Sequence, residues 1–174
     1  MDNEQSRLLA AHFQCEPGNT VLVGIADVRV GRSPQVLKTN LGSCIAVCLY
    51  CQAAEVGGML HFMLASPLPK EREGFKKGKY AETGIPELIT VLKSRFGVEQ
   101  TQLTAKIFGG ASLLPGVKHN IGLDNEAAAR KYLREYGIRI IASKTGGVKG
   151  YKVDFDLGTG KVKCQTFDGD IMEF

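Results

Sequence analysis

The chain has 174 residues, a length typical of one domain, and 44% of its residues are apolar while 23% are charged. This composition excludes a disordered chain or a low-complexity fibre, and no apolar run approaches the ~20 residues of a membrane helix. The first five residues, MDNEQ, are acidic where a secretory signal would be basic, so we expect a cytoplasmic protein. The net charge of +4 is too small to indicate nucleic-acid binding, although it mildly favours an acidic protein partner.

Residues 1–17 are predicted to be an N-terminal extension, and residues 18–174 are predicted to form a single domain. The β-branched residues between Val21 and Val30 indicate one or two strands. Continuous apolar or alternating runs predict the next strands at Val36–Leu41, Ile45–Tyr50 and Met59–Ala65.

Two segments have the periodicity of amphipathic helices. The first begins near Thr83, which is predicted to cap it, has Pro86 in its first turn and ends at Gly97. The second is predicted at about Asn125–Tyr136, with Asp124 as its cap.

Further strands are expected on either side of the second helix and near the end of the chain. They are predicted at Ala105–Phe108 and Ile138–Ala142, and a hairpin is predicted from Tyr151–Leu157 and Lys161–Phe167. The predicted fold class is therefore α+β, with layered mixed β-sheets packed against two main helices.

Cysteine offers two kinds of chemistry in this sequence. The five cysteines are an odd and unevenly spaced set, which indicates reduced thiols rather than a disulfide framework: Cys15, Cys44, Cys48, Cys51 and Cys164. Cys48 and Cys51 have the spacing of half a zinc site or of a redox pair. The simpler interpretation is that both are core or strand-end thiols, because unpaired cysteine is among the most buried residue types.

Cys44 is a candidate nucleophile. It follows Gly42 and Ser43 at the start of a buried strand, where a glycine lets backbone N–H groups turn toward a ligand, as in an oxyanion hole. His61 lies in the next predicted strand, and two adjacent strands would bring an imidazole to the thiol. The alternative that the residues leave open is an inert buried thiol and a core histidine with a satisfied hydrogen bond.

Several sequence blocks resemble the CheD family of chemoreceptor glutamine deamidases. The blocks are LGSCIAVCLY at 41–50, GGMLHFML at 57–64, KYA at 79–81, KIFGGA at 106–111, Ile121-Gly122 with Asn125, and TGG at 145–147. The resemblance covers nearly everything from Thr20 to Phe167. It implies a cysteine-hydrolase fold that is shared with toxin-type deamidases.

The resemblance also implies a set of catalytic residues. Cys44 would be the nucleophile, His61 the base, and Thr39 the residue that orients the imidazole. The backbone around Gly42, Ser43 and Cys44 would supply oxyanion donors, and Gly109 and Gly110 would border the site. For Thr39 an ordinary strand position, and for the glycine pair an ordinary turn, remain open alternatives.

The implied activity is hydrolysis of glutamine side chains to glutamate on the cytoplasmic helices of chemoreceptors, through a thioester on cysteine. No metal or organic cofactor is required, and neither nucleic-acid binding nor membrane insertion is expected. A CheC-type phosphatase is the implied partner. The alternative function is a non-catalytic adaptor that binds chemoreceptors and such a phosphatase.

Overall fold

The computed structural model of the chain describes residues 19–68, 74–113 and 120–174. The predicted extension at 1–17, with Cys15 in it, lies outside the described residues. The described elements are β1 (Thr20–Leu22), β2 (Val28–Arg32), β3 (Val36–Leu41), β4 (Ile45–Cys51), β5 (Val56–Phe62), α1 (Ala81–Phe96), a 3₁₀ turn (Gln100–Gln102), β6 (Thr104–Gly109), α2 (Ile121–Glu135), β7 (Arg139–Thr145), β8 (Tyr151–Asp156), β9 (Val162–Thr166) and β10 (Ile171–Glu173).

The described strands form two five-stranded sheets. The outer sheet has the order β1-β3-β8-β9-β10, and the central sheet has the order β2-β5-β4-β6-β7. The pairs β1–β3 and β6–β7 are parallel, whereas the other pairs are antiparallel. The predicted α+β class with mixed sheets and two main helices is therefore confirmed.

The central sheet is buried on both faces, which explains why β4 and β5 are almost continuously apolar. Side chains alternate along each strand, and β4 pairs with β5 from Ile45 opposite Phe62 to Cys51 opposite Val56. One face of this pair packs against the helices, through Ile45, Val47, Leu49, Leu60 and Phe62. The opposite face packs against the outer sheet, through Ala46, Cys48, Tyr50 and Met59.

Helix α1 begins at Ala81, two residues before the predicted cap. Tyr80 occupies the N-cap position, and the carbonyl oxygens of Leu64 and Ala65 accept hydrogen bonds from the first two helical amides. The prediction of Thr83 as the cap was wrong because the backbone after β5 satisfies these amides, and the Thr83 hydroxyl donates instead to the Lys77 carbonyl. Pro86 is consequently the sixth helical residue rather than part of the first turn. The helix ends as predicted at Gly97, which has φ of 69°.

Helix α2 also begins earlier than the sequence indicated. Asn120 is its cap, and its side chain accepts a hydrogen bond from the Leu123 amide at 3.2 Å. The prediction of Asp124 as the cap failed because Ile121 and Leu123 are exposed, so the first turn lacks the apolar periodicity that marks a helix. The predicted hairpin is confirmed as β8 and β9, and β10 adds a short edge strand that was not predicted.

Candidate active site

His61 lies near the end of β5, with its side chain in the space between the two sheets. It is paired with Ala46, and only 3% of its surface is exposed. The segment between β1 and β2 holds its backbone, because the His61 amide donates to the Asp27 carbonyl at 3.1 Å and the Ala26 amide donates to the His61 carbonyl at 2.8 Å. The imidazole is therefore fixed in a buried position on a rigid strand.

Thr39 faces His61 from the outer sheet. Its hydroxyl oxygen lies 2.8 Å from His61 Nδ1 and 2.7 Å from the Val23 carbonyl oxygen. A carbonyl oxygen only accepts, so the single hydroxyl proton of Thr39 must be donated to Val23. The hydroxyl then accepts from Nδ1, which must carry the ring proton. This contact fixes the neutral tautomer of His61 that has its lone pair on Nε2.

His61 Nε2 is the unusual atom of the site. It is buried and has no hydrogen-bond partner among the described residues. Such an atom costs free energy to bury, of the order of 1–3 kcal/mol. An unpaired basic nitrogen in the neutral imidazole is the group that general-base catalysis needs.

Cys44 precedes β4 and packs, half-buried, against the cluster between the sheets. Extending the β4–β5 register by one residue places it opposite Met63 and diagonal to His61, about 7 Å between Cα atoms in such a pair. The thiol forms no hydrogen bond with Nε2 in this structure. The sequence prediction that adjacent strands bring this cysteine and this histidine to one face agrees with the register.

Gly109 and Gly110 contact the backbone of Cys44. The Gly110 amide donates to the Cys44 carbonyl at 2.8 Å, and a Cβ atom on Gly109 would lie 2.3 Å from the same oxygen. Both glycines have positive φ, 106° and 70°, which side chains disfavour. The glycine pair therefore adjoins the segment that carries the thiol, as expected from the resemblance.

Gly42 and Ser43 are held by two further hydrogen bonds. The Gly42 carbonyl accepts from the Ala111 amide at 2.9 Å, and the Ser43 carbonyl accepts from Asn125 Nδ2 at 3.0 Å. Asn125 was not among the predicted site residues. Its place in the block that begins Ile121-Gly122 was the signal that could have identified it.

Burial sets the charge states of the thiol and the imidazole. Burial raises the pKa of Cys44, and a hydrogen bond from its own backbone amide opposes this rise. Burial lowers the pKa of His61, while the Val23 carbonyl and the Asp27 carboxylate oppose this change. Both directions favour the neutral forms, a protonated thiol at Cys44 and an uncharged imidazole at His61.

The remaining described cysteines belong to the core. Cys48 and Cys51 point to opposite faces of β4, one toward the outer sheet and the other toward the helices. They cannot share a metal ion or form a disulfide with each other. Burial raises the pKa of Cys48 and raises the pKa of Cys164 to about 12. The interpretation as core thiols is confirmed for these residues.

The fold and the site together define a two-sheet α+β protein with a thiol, an imidazole and a hydroxyl at one end of the sheet interface. Two solved structures share the fold. The hypothetical protein YfiH of Bacillus licheniformis has a TM-score of 0.55 at 10% identity, with 83% of this chain and 70% of that chain covered. A protein of Neisseria meningitidis has a TM-score of 0.50 at 13% identity, with 84% and 72% covered.

Sequence relatives specify the family. The family model described as CheD chemotactic sensory transduction matches residues 63–166. A chemoreceptor glutamine deamidase CheD from Thermotoga maritima is 38% identical over 149 residues, which cover 85% of this chain and 92% of the relative. A probable chemoreceptor glutamine deamidase CheD from Desulforamulus reducens is 40% identical over 151 residues, covering 84% and 90%. The chain belongs to the CheD family.

No helix in the described part of the chain is long and apolar enough to span a membrane.

Proposed function

We propose that this protein is a cysteine-dependent deamidase that converts glutamine side chains to glutamate on the cytoplasmic helices of chemoreceptors. The names of the relatives support the reaction and the substrate. The observation that carries the catalytic assignment is the chain of contacts from Val23 through Thr39 to His61, which leaves the lone pair of Nε2 free. The resemblance of the sequence blocks to the CheD family supports action in the cytoplasm and binding to a CheC-type phosphatase.

Cys44 is the proposed nucleophile, and its attack begins with a proton transfer. His61 Nε2 accepts the thiol proton as Sγ forms a bond to the carbonyl carbon of the glutamine carboxamide. The carbonyl π electrons move to oxygen and give a tetrahedral oxyanion. The raised pKa of Cys44 and the lowered pKa of His61 both disfavour a preformed ion pair, which supports transfer of the proton during attack.

The protonated imidazole then completes the exchange of nitrogen for oxygen. His61 Nε2–H donates its proton to the departing nitrogen, and ammonia leaves as the oxyanion collapses to a thioester on Cys44. A water molecule gives one proton to Nε2 and attacks the thioester carbon. This attack gives a second tetrahedral oxyanion. Its collapse breaks the bond to the Cys44 sulfur and releases glutamate, and the sulfur takes back the proton from Nε2.

Thr39 acts on the orientation of the base rather than on the substrate. By accepting the Nδ1 proton, its hydroxyl keeps the imidazole in one tautomer and one ring orientation. The backbone amides of Ser43 and Cys44 donate to no other described residue, apart from the contact of the Cys44 amide with its own sulfur. They are the proposed oxyanion donors, while Gly109 and Gly110 shape the segment that presents them.

The test uses the purified protein with cytoplasmic fragments of chemoreceptors. We expect intact-mass and peptide mass spectrometry to show conversion of specific glutamines to glutamates with the wild type and none with Cys44→Ala. Cys48→Ala is the matched control, because it removes the same group from the same face of β4 and should retain the activity.

Two results would contradict the catalytic proposal. Wild-type protein that binds the fragments but leaves every glutamine intact would favour the adaptor function. A Cys44→Ala protein that restores chemotaxis fully in a deletion strain would point the same way.

A further inference from the structure

Asn125 is a fully buried polar residue in the second turn of α2, and both its amide protons are used on the site. Nδ2 donates to the Ser43 carbonyl at 3.0 Å and to the Met63 carbonyl at 2.8 Å. Its Oδ1 atom is buried and has no partner among the described residues. Burying this unpaired oxygen is unfavourable. The favourable contribution of the Asn125 side chain to the structure therefore comes from the two hydrogen bonds that Nδ2 donates.

The segment that carries the thiol is held by its carbonyl groups. The carbonyls of Gly42, Ser43 and Cys44 accept, in turn, from the Ala111 amide, from Asn125 and from the Gly110 amide. Backbone atoms make the first and third of these bonds. The middle bond is made by a side chain, and it is therefore the one that a substitution removes.

That middle bond fixes the direction of an N–H group. A trans peptide is planar, so the Ser43 carbonyl and the Cys44 amide point in opposite directions. Holding the carbonyl against α2 turns the Cys44 N–H away from α2. The N–H lies against its own sulfur, where it stabilises the thiolate, and it has no other acceptor among the described residues.

We propose that Asn125 is a positioning residue that holds the Ser43–Cys44 peptide so that the Cys44 amide donates to the oxyanion of the reacting carboxamide. This inference rests on the proposed deamidase function. The second bond, to the Met63 carbonyl, ties the same side chain to the end of β5, two residues after His61. Asn125 thereby couples the positions of the nucleophile segment and of the strand that carries the base.

The experiment compares Asn125→Ala with Asn120→Ala on the full chain. Asn120 caps the same helix but contacts neither Ser43 nor Met63 through its described bonds, so Asn120→Ala weakens α2 without freeing the Ser43 carbonyl. We expect Asn125→Ala to lower kcat for receptor fragments by about 10²-fold, because one oxyanion donor is misdirected. KM should change by less than about threefold, and Asn120→Ala should keep both constants near those of the wild type.

A second measurement separates positioning from general damage to the site. Iodoacetamide alkylates a thiol at a saturated carbon and forms no oxyanion. Asn125→Ala also frees the Cys44 N–H from its sulfur, so alkylation of Cys44 should slow, but by much less than the loss in kcat. Three results would overturn the proposal: equal losses in alkylation rate and kcat, an effect confined to KM, or a wild-type kcat in a folded Asn125→Ala protein.

Asn125→Asp covers the case in which the alanine variant does not fold. The neutral acid fills the same volume but has one proton for two carbonyls, so we expect a kcat loss of about 10-fold; an unchanged kcat would overturn the proposal.

A peptide aldehyde in place of the target glutamine adds a readout that is independent of turnover. Its thiohemiacetal oxygen should occupy the oxyanion position, and Asn125→Ala should weaken its binding. Weakened binding supports the positioning role even where turnover of glutamine is absent. A wild type that neither turns over glutamine nor binds the aldehyde would defeat both proposals, whereas normal turnover with equal aldehyde binding in both proteins would defeat only this one.

Discussion

The two faces of the central sheet differ in what they bury. The face toward the helices packs an apolar cluster, whereas the face toward the outer sheet ends in a thiol, an imidazole and a hydroxyl. The buried polar residues among those described are Thr39, His61 and Asn125; Thr39 contacts His61, and Asn125 binds the Ser43 carbonyl next to Cys44. His61 and Asn125 each keep one polar atom that has no partner within the described part of the chain. Buried polar atoms are normally paired, so an unpaired one requires an explanation, and for His61 Nε2 the proposed role as base supplies it.

The difference is clearest within one strand. Met59 and His61 occupy the same face of β5, two residues apart, and both are buried. Methionine fills its place through packing alone, while the imidazole needs Thr39 for one nitrogen and leaves the other free. The face toward the outer sheet thus changes from core to site over two residues.

Alanine substitutions at His61 and at Met59 should separate a catalytic role from a packing role. Of all the variants, His61→Ala should have the largest effect on catalysis. His61→Ala should lower kcat by about 10⁴-fold, because the proton acceptor is lost. Met59→Ala should keep the activity of the folded protein but lower the free energy of unfolding by about 2–5 kcal/mol. Steady-state kinetics and urea unfolding check both variants, and an active His61→Ala protein would remove the histidine from the mechanism.

Thr39→Val is expected to have the next largest effect. The change keeps the shape but removes the acceptor for the Nδ1 proton, so the wrong tautomer becomes accessible and kcat should fall about 10²-fold. Thr39→Ser restores a hydroxyl and should recover most of the rate. If valine and serine behave alike, the hydroxyl has no part in orienting the base.

Gly109→Ala tests the contact between the glycine pair and the nucleophile segment. A Cβ atom there would meet the Cys44 carbonyl oxygen at 2.3 Å, so we expect a loss of ~2 kcal/mol or more in unfolding free energy, together with reduced activity. Gly97→Ala is the control, because Gly97 also has positive φ but a Cβ atom there would meet no other atom within 4 Å. It should cost only about 1 kcal/mol and leave kcat unchanged. Equal effects in thermal unfolding would show that backbone conformation alone matters.

The pH dependence of kcat/KM should show the smallest of the expected effects. In the proposed mechanism the base is neutral His61, so activity should be present above the pKa of this residue and should be lost as pH falls through it. Because burial lowers this pKa below the ordinary value of 6.5, the acidic limb of kcat/KM should lie below pH 6.5. Stability should also decrease with falling pH in this window, since the unfolded chain binds the proton more readily. A limb at or above pH 6.5 would contradict the burial of the imidazole.

The sequence was informative about the site where spacing along strands determines position. A glycine-bearing turn and a histidine in an apolar strand made Cys44 and His61 candidates, because the ladder between β4 and β5 follows from alternation and short connections, and the resemblance then implied their roles. Thr39 followed only from the resemblance, since its contact joins two different sheets. No local pattern determines which outer-sheet residue faces a given central-sheet residue.

The parts that the sequence did not predict depend on long-range contacts. Both helix starts were missed because backbone carbonyls after β5 and the Asn120 side chain satisfy the first turns. Asn125 was missed as a site residue because an asparagine within a helix carries no sign of the two distant carbonyls that it binds.

The segment between β1 and β2 has a consequence for how the protein loses activity. Val23 to Asp27 crosses from the outer sheet to the central sheet, and along this crossing it accepts from Thr39 and bonds both backbone groups of His61. Any local opening that separates the sheets at this end breaks these bonds and moves the base from its partner at the same moment. Local opening of this segment would therefore separate the imidazole from Thr39 even where the core against the helices stayed folded.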